Sequence, residues 1–185
     1  MINLNQEWIK PKKPIPIVIF GAGSIANDAH LPAYEKSGFK VLGIYDPDIE
    51  KAQNLATKFN LDIFHSLEEA VDQENVIFDL ATPPEVHTEI LKFLPEKSGV
   101  LIQKPMGSNL DEATKILEIC NTRSLKAAVN FQLRFAPMMI ALKDAINSGL
   151  LGTIVDFDAW LALDTPWSLW KFLENLPRVE SQFRK

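Results

Sequence analysis

The sequence predicts an α/β fold in which a doubly wound parallel sheet carries helices on both faces. Three observations support this. Short apolar runs alternate with helical segments from residue 15 to residue 147. Those runs are continuously apolar rather than alternating, as in strands buried on both faces. Glycine and proline punctuate the junctions, and repeated strand–helix alternation of this kind is the pattern of a parallel sheet.

Residues 15–20, Ile-Pro-Ile-Val-Ile-Phe, read as the first strand and end at glycines. A helix over 24–36 follows, bent or divided at Pro32, because proline lacks a backbone donor and clashes with the preceding turn. A second strand is expected over 40–45, a helix over 49–59 and a brief strand over 61–64. The alternation continues with strands at 76–80, 100–103 and 126–130 and helices at 84–94, 110–121 and 137–147. Right-handed crossovers place the C-terminal ends of such strands on one edge, where ligands of these sheets bind. Near Gly149 the pattern changes. Residues 153–163 form a longer strand-like run, followed by an aromatic segment over 166–173. The expected organisation is a lead-in (1–14), a nucleotide-binding domain (15–148) and the start of an α+β second domain (149–185), incomplete because some 35 residues cannot close a core.

Composition narrows the function. With 46% hydrophobic and 23% charged residues, the chain is ordinary for a globular protein. A net charge of -5, with basic residues scattered apart from Lys10, Lys12 and Lys13, excludes a general nucleic-acid binder. The lone cysteine, Cys120, sits in an apolar run and reads as a buried structural thiol, which excludes a disulfide framework. No histidine–carboxylate set has metal-ligand spacing, so no metal site is expected. Residues 1–14 lack the apolar stretch of a signal peptide, and no segment approaches the ~18 apolar residues of a membrane span. A cytoplasmic protein with no nucleic-acid or membrane partner is the expectation.

Gly21-Ala22-Gly23-Ser24-Ile25-Ala26 follows the first strand and opens a helix, matching Gly-x-Gly-x-x-Gly/Ala. The first glycine allows the tight turn, the second admits a pyrophosphate close to the backbone, and the small third residue lets helix pack on strand. The helix N-terminus then supplies amide donors, with Ser24 and Ile25 in its first turn. Asp46 ends the second strand 23 residues beyond Gly23, near the ~20-residue spacing of a ribose-binding acid. A carboxylate there accepts from the ribose hydroxyls and repels a 2′-phosphate. No Arg adjoins it, which favours NAD over NADP. The alternative for Asp46 is a turn aspartate before Pro47. Loop and acid together indicate a Rossmann-type dinucleotide site.

The later motifs extend the argument. Ala81-Thr82-Pro83-Pro84 with His87, then Gln103-Lys104-Pro105, then Asn130 with Arg134 and Pro137, follow the glycine loop and His30-Leu31-Pro32-Ala33 in order. This ordered set resembles the glucose–fructose oxidoreductase/inositol dehydrogenase (Gfo/Idh/MocA) family, over nearly the whole chain after the lead-in. The resemblance implies hydride transfer between a nicotinamide and a carbinol of a sugar, inositol or similar polyhydroxy substrate. It makes Lys104 the lysine that hydrogen-bonds the reacting oxygen and assists proton transfer, with a surface lysine as the alternative. It places Thr82, Pro83 and His87 beside the cofactor, although capping or packing serves His87 equally well. Asn130 and Arg134 become candidate substrate contacts, and Arg134 is equally an interdomain strut. Gln103 stands where the family commonly has Glu. The family's acid/base histidine comes from the second domain, and the match ends before it. The competing readings are a non-catalytic dinucleotide-binding module or fragment acting through a partner, and a different nucleotide user such as an S-adenosylmethionine-dependent methyltransferase, against which the Gln-Lys-Pro and Thr-Pro-Pro elements argue. A homo-oligomer or a complementary chain supplying the rest of the second domain is the partner expectation.

Overall fold

Strand β1 (Ile17–Phe20) is buried along its whole length, which fixes the layering. Val18 and Phe20 turn to one face of the sheet and Ile17 and Ile19 to the other, each pair joining a separate apolar cluster. The computed structural model describes residues 3–160 and 162. In it, β1 pairs in parallel with β2 (Val41–Tyr45) on one side and β4 (Ile77–Leu80) on the other. Strand β3 (Asp62–Ile63) flanks β2, while β5 (Gly99–Ile102) and β6 (Lys126–Val129) extend beyond β4. The order is β3-β2-β1-β4-β5-β6, six parallel strands wound in two directions from the centre.

Helices α1 (Leu31–Ser37) and α2 (Ile49–Phe59) cover the Ile17/Ile19 face with Leu31, Ala52, Leu55 and Ala56. The opposite face is covered by α3 (Leu67–Val71), α4 (His87–Phe93) and α5 (Leu110–Thr122) through Ala70, Ile90, Leu91, Ile116 and Cys120. The thiol of Cys120 is free and buried, and burial pushes its pKa up. Helix α6 (Pro137–Asn147) follows β6.

The expected helix over 24–36 is interrupted. Helical from Ser24 to Ser37, it widens at Ala26–His30, where the Leu31 N–H bonds to the Ala26 carbonyl. A wider turn just ahead of Pro32 relieves the clash that proline would impose on a regular turn. The expected helix over 84–94 likewise begins as a 3₁₀ turn, Pro84–Val86, before α4. The third strand shortens to two residues. Helix α3 has no counterpart in the pattern reading. Its signature is Ser66, whose hydroxyl caps the Glu69 N–H, while Glu69 reaches back to the His65 N–H.

Residues 153–160 form no strand. Alternation creates a strand only beside a partner, and none pairs with this run among the described residues. The aromatic segment over 166–173 and the body of the expected second domain lie outside the described residues. The chain divides into two compact units, Met1–Asp144 and Ala145–Lys185. Among the described residues, no helix is long and apolar enough to cross a membrane.

Candidate cofactor edge

Every residue singled out from the sequence as a site candidate falls at the C-terminal edge of the sheet, or in the loop or first helical turn that follows a strand. At the end of β1, Gly21 has φ +100°, a conformation L side chains rarely adopt, and its N–H bonds to the Tyr45 carbonyl at 2.8 Å. A Cβ at Gly21 would lie 2.6 Å from the Ala81 carbonyl oxygen, so β1 and β4 approach closely here only because the side chain is absent. Gly23 is different: a Cβ there would meet nothing within 4 Å. The space above it is open, and Gly23, Ser24 and Ile25 are exposed in the first helical turn. Unpaired N–H groups of a first turn and the positive end of the helix dipole favour an anion at such a place.

Asp46 braces this turn. One carboxylate oxygen accepts from the Ala22 N–H at 2.7 Å and the other from the Asp48 N–H at 2.8 Å. A carboxylate offers about four acceptor positions, so two remain for ribose hydroxyls. The turn-aspartate and ribose-acid readings are therefore compatible.

At the end of β4, the Thr82 methyl would sit 3.0 Å from a Cβ on Gly21. The Thr82 hydroxyl oxygen is buried with no hydrogen-bond partner within the protein. A buried polar atom without a partner is costly, and one beside the glycine turn suits a ligand hydroxyl or amide. Pro83 is exposed. His87 is fully buried, with Nδ1 3.1 Å from the Met106 carbonyl and Nε2 3.0 Å from that of Thr82. It ties the Thr-Pro-Pro turn to the loop after β5.

Lys104 follows β5 with an exposed side chain, and its peptide bond to Pro105 is cis. Its backbone N–H donates to the side-chain oxygen of Gln103 at 2.7 Å. Gln103 is buried, and its amide nitrogen lies 3.1 Å from Nε2 of His30. The amide nitrogen of Asn130, just past β6, is 3.2 Å from the same His30 nitrogen. Arg134 is exposed in the 3₁₀ turn Gln132–Phe135.

A match to the family model for oxidoreductases with an NAD-binding Rossmann fold covers residues 15–131. The chain belongs to the Gfo/Idh/MocA oxidoreductase family. Among its curated relatives, glucose-6-phosphate 3-dehydrogenase of Bacillus subtilis is 30% identical over 141 residues, covering 75% of this chain and 40% of that protein. Inositol 2-dehydrogenase of Rubrobacter xylanophilus is 26% identical over 153 residues, covering 79% and 43%. The chain thus spans about two-fifths of the length of these relatives. The fold also matches the WlbA dehydrogenase from Bordetella pertussis, solved with NADH and UDP-GlcNAcA, at a TM-score of 0.63. That match has 23% identity and covers 77% of this chain and 44% of the other.

Within this Gfo/Idh/MocA chain, one cluster escaped the motif reading. Asp79 sits fully buried in β4, and its Oδ2 lies 2.7 Å from His30 Nδ1 and accepts from the Tyr34 hydroxyl at 2.8 Å. Burial, and then the negative charge of Asp79, push the Tyr34 phenol far above its ordinary range. The signal was present in the sequence: an aspartate inside the apolar run Val76-Ile77-Phe78-Asp79-Leu80 must find donors, because an unpaired buried charge is prohibitive.

Proposed function

We propose that residues 15–148 bind a nicotinamide dinucleotide, NAD in preference to NADP, and serve hydride transfer to or from a carbinol of a sugar, inositol or related polyhydroxy substrate. The carrying observation is the Gly21–Ala26 turn, open above Gly23 and braced from below by Asp46. The unpartnered Thr82 hydroxyl beside it fits the same ligand. Glycine-turn and helix-terminus amides would hold the pyrophosphate and Asp46 the adenosine ribose. Pro83 and the Thr82 turn, held in place by His87, would meet the nicotinamide side. The negative charge of Asp46 disfavours a 2′-phosphate.

Bound there, the dinucleotide supplies the hydride acceptor or donor. The protein's part is to place Lys104 against the substrate oxygen, where its ammonium stabilises developing negative charge and passes a proton. Asn130 and Arg134 stand at the adjacent strand end, Arg134 with an exposed guanidinium suited to an oxygen-rich ligand. None of the three histidines supplies a free base beside Lys104. His30 and His87 are engaged and buried, and His65 lies past β3 on the other half of the sheet. The resemblance would draw the acid/base partner and the substrate pocket from the family's second domain, whose expected start here is residue 149.

Calorimetric titration with NADH and NADPH tests the reading. NADH is expected to bind at least about tenfold more tightly, the worth of one hydrogen bond to a charged group. Asp46→Ala should narrow that gap. A folded chain that binds neither dinucleotide overturns the proposal.

A further inference from the structure

The lysine loop is held from inside the protein, and the hydrogen-bond roles can be worked out from one fixed donor. The backbone N–H of Lys104 can only donate, so the atom of Gln103 facing it at 2.7 Å is the side-chain oxygen. That orientation turns the Gln103 NH₂ toward Nε2 of His30, 3.1 Å away. An amide NH₂ can only donate, so Nε2 must carry a lone pair rather than a proton. In a neutral ring the proton then resides on Nδ1, which faces the carboxylate of Asp79 at 2.7 Å. Asn130 points its own NH₂ at the same Nε2 from 3.2 Å, sharing the lone pair.

We propose that neutral His30, protonated on Nδ1, is a positioning residue for Lys104. Its Nε2 gathers the amides of Gln103 and Asn130 at the ends of β5 and β6, and Gln103 fixes the Lys104 backbone. The inference rests on the reading of Lys104 as the group that meets the substrate oxygen. The hydrogen-bond partners of the ring agree with it, while Asp79 Oδ1 is buried without a partner among the described residues. Asp79 from β4 accepts, Tyr34 from α1 donates to that same carboxylate, and the two amides donate to Nε2. The wide helical turn at Ala26–His30 ends on this histidine, which is 6% exposed. The device spans the sheet between its two functional halves: a histidine on the helix that starts at the glycine turn sets the strand end that carries the lysine.

Nitrogen-15 NMR of the imidazole rings in the labelled chain is the test, with His30 identified by contacts to the Tyr34 ring. His30 is expected to show a protonated Nδ1 and an unprotonated Nε2. A protonated Nε2 overturns the proposal. In Gln103→Ala, exchange of the Lys104 amide hydrogen should accelerate about fivefold to tenfold, the worth of one net hydrogen bond. Unchanged exchange also overturns it. Neither of these readouts uses a cofactor. Failure to bind NADH therefore overturns the dinucleotide reading alone, and a wrong tautomer overturns this one alone.

Discussion

The two halves of the candidate cofactor edge are built from different materials. Around β1 and β2 the working groups are backbone amides, two glycines and one short carboxylate, all within a strand end or a turn of one another. At β5 and β6 they are mainly side chains, linked from the Lys104 backbone N–H through Gln103 and His30 to Asp79 of β4, with Asn130 and Tyr34 as branches. The first half leaves open space at Gly23. The second works by filling its space and fixing the direction of each donor. Substitutions in the first half therefore act sterically, and substitutions in the second act through lost or reversed hydrogen bonds.

The strongest way to break the comparison is at the glycines. Gly21→Ala forces a side chain into a positive-φ position and against the Ala81 carbonyl. The backbone strain alone is expected to cost about 1–3 kcal/mol of stability, and the variant should lose NADH binding with it. Gly23→Ala meets no atom of the protein. Its unfolding midpoint should stay at the wild-type value while NADH affinity falls about tenfold or more, because the methyl would intrude on the proposed pyrophosphate position. Thermal melts beside calorimetry separate the two. Equal effects on stability would show that the turn is not divided in this way.

A smaller effect sharpens the second half. Tyr34→Phe removes one donor from Asp79 and should cost about 1 kcal/mol near neutral pH. The pH dependence carries a definite sign. The folded phenol holds its proton above the ordinary tyrosine range. Below about pH 10 both states are protonated and the contribution is intact. Above it the unfolded chain ionises and the folded one does not, so stability falls as pH rises, by up to ~1.4 kcal/mol per pH unit for this group. Urea melts between pH 8 and 11 should show a shallower alkaline decline in Tyr34→Phe. An unchanged slope would place the Tyr34 proton elsewhere.

The same division explains what was legible in the sequence. Sheet, helices and the glycine turn were readable because their signals are local: apolar runs, glycines at set spacing, and Asp46 at a strand end. The family motifs located Lys104, Thr82 and Asn130 without revealing what holds them. His30 meets Asp79, Gln103 and Asn130 across 49, 73 and 100 residues of chain, and no periodicity encodes such meetings. Asp79 alone gave warning, as a charge within a buried strand. The strand expected over 153–163 is absent at its described residues 153–160, since alternation without a neighbouring strand does not make one.

The two edges of the sheet supply the final test. At the N-terminal edge, beginning at Ile17, Ile77, Gly99 and Lys126, lies a large open hollow of about 1170 Å³ lined also by Lys13, Glu74 and Ser98. It shares none of the groups assigned to the dinucleotide. Amide NMR shifts of the labelled chain, recorded as NADH is added, decide between the edges directly. Shifts are expected at Gly21, Gly23, Ser24, Ile25, Asp46, Thr82 and Lys104, with Glu74, Ser98 and Lys126 unmoved. Shifts confined to the hollow, or to neither edge, would contradict the proposed dinucleotide site.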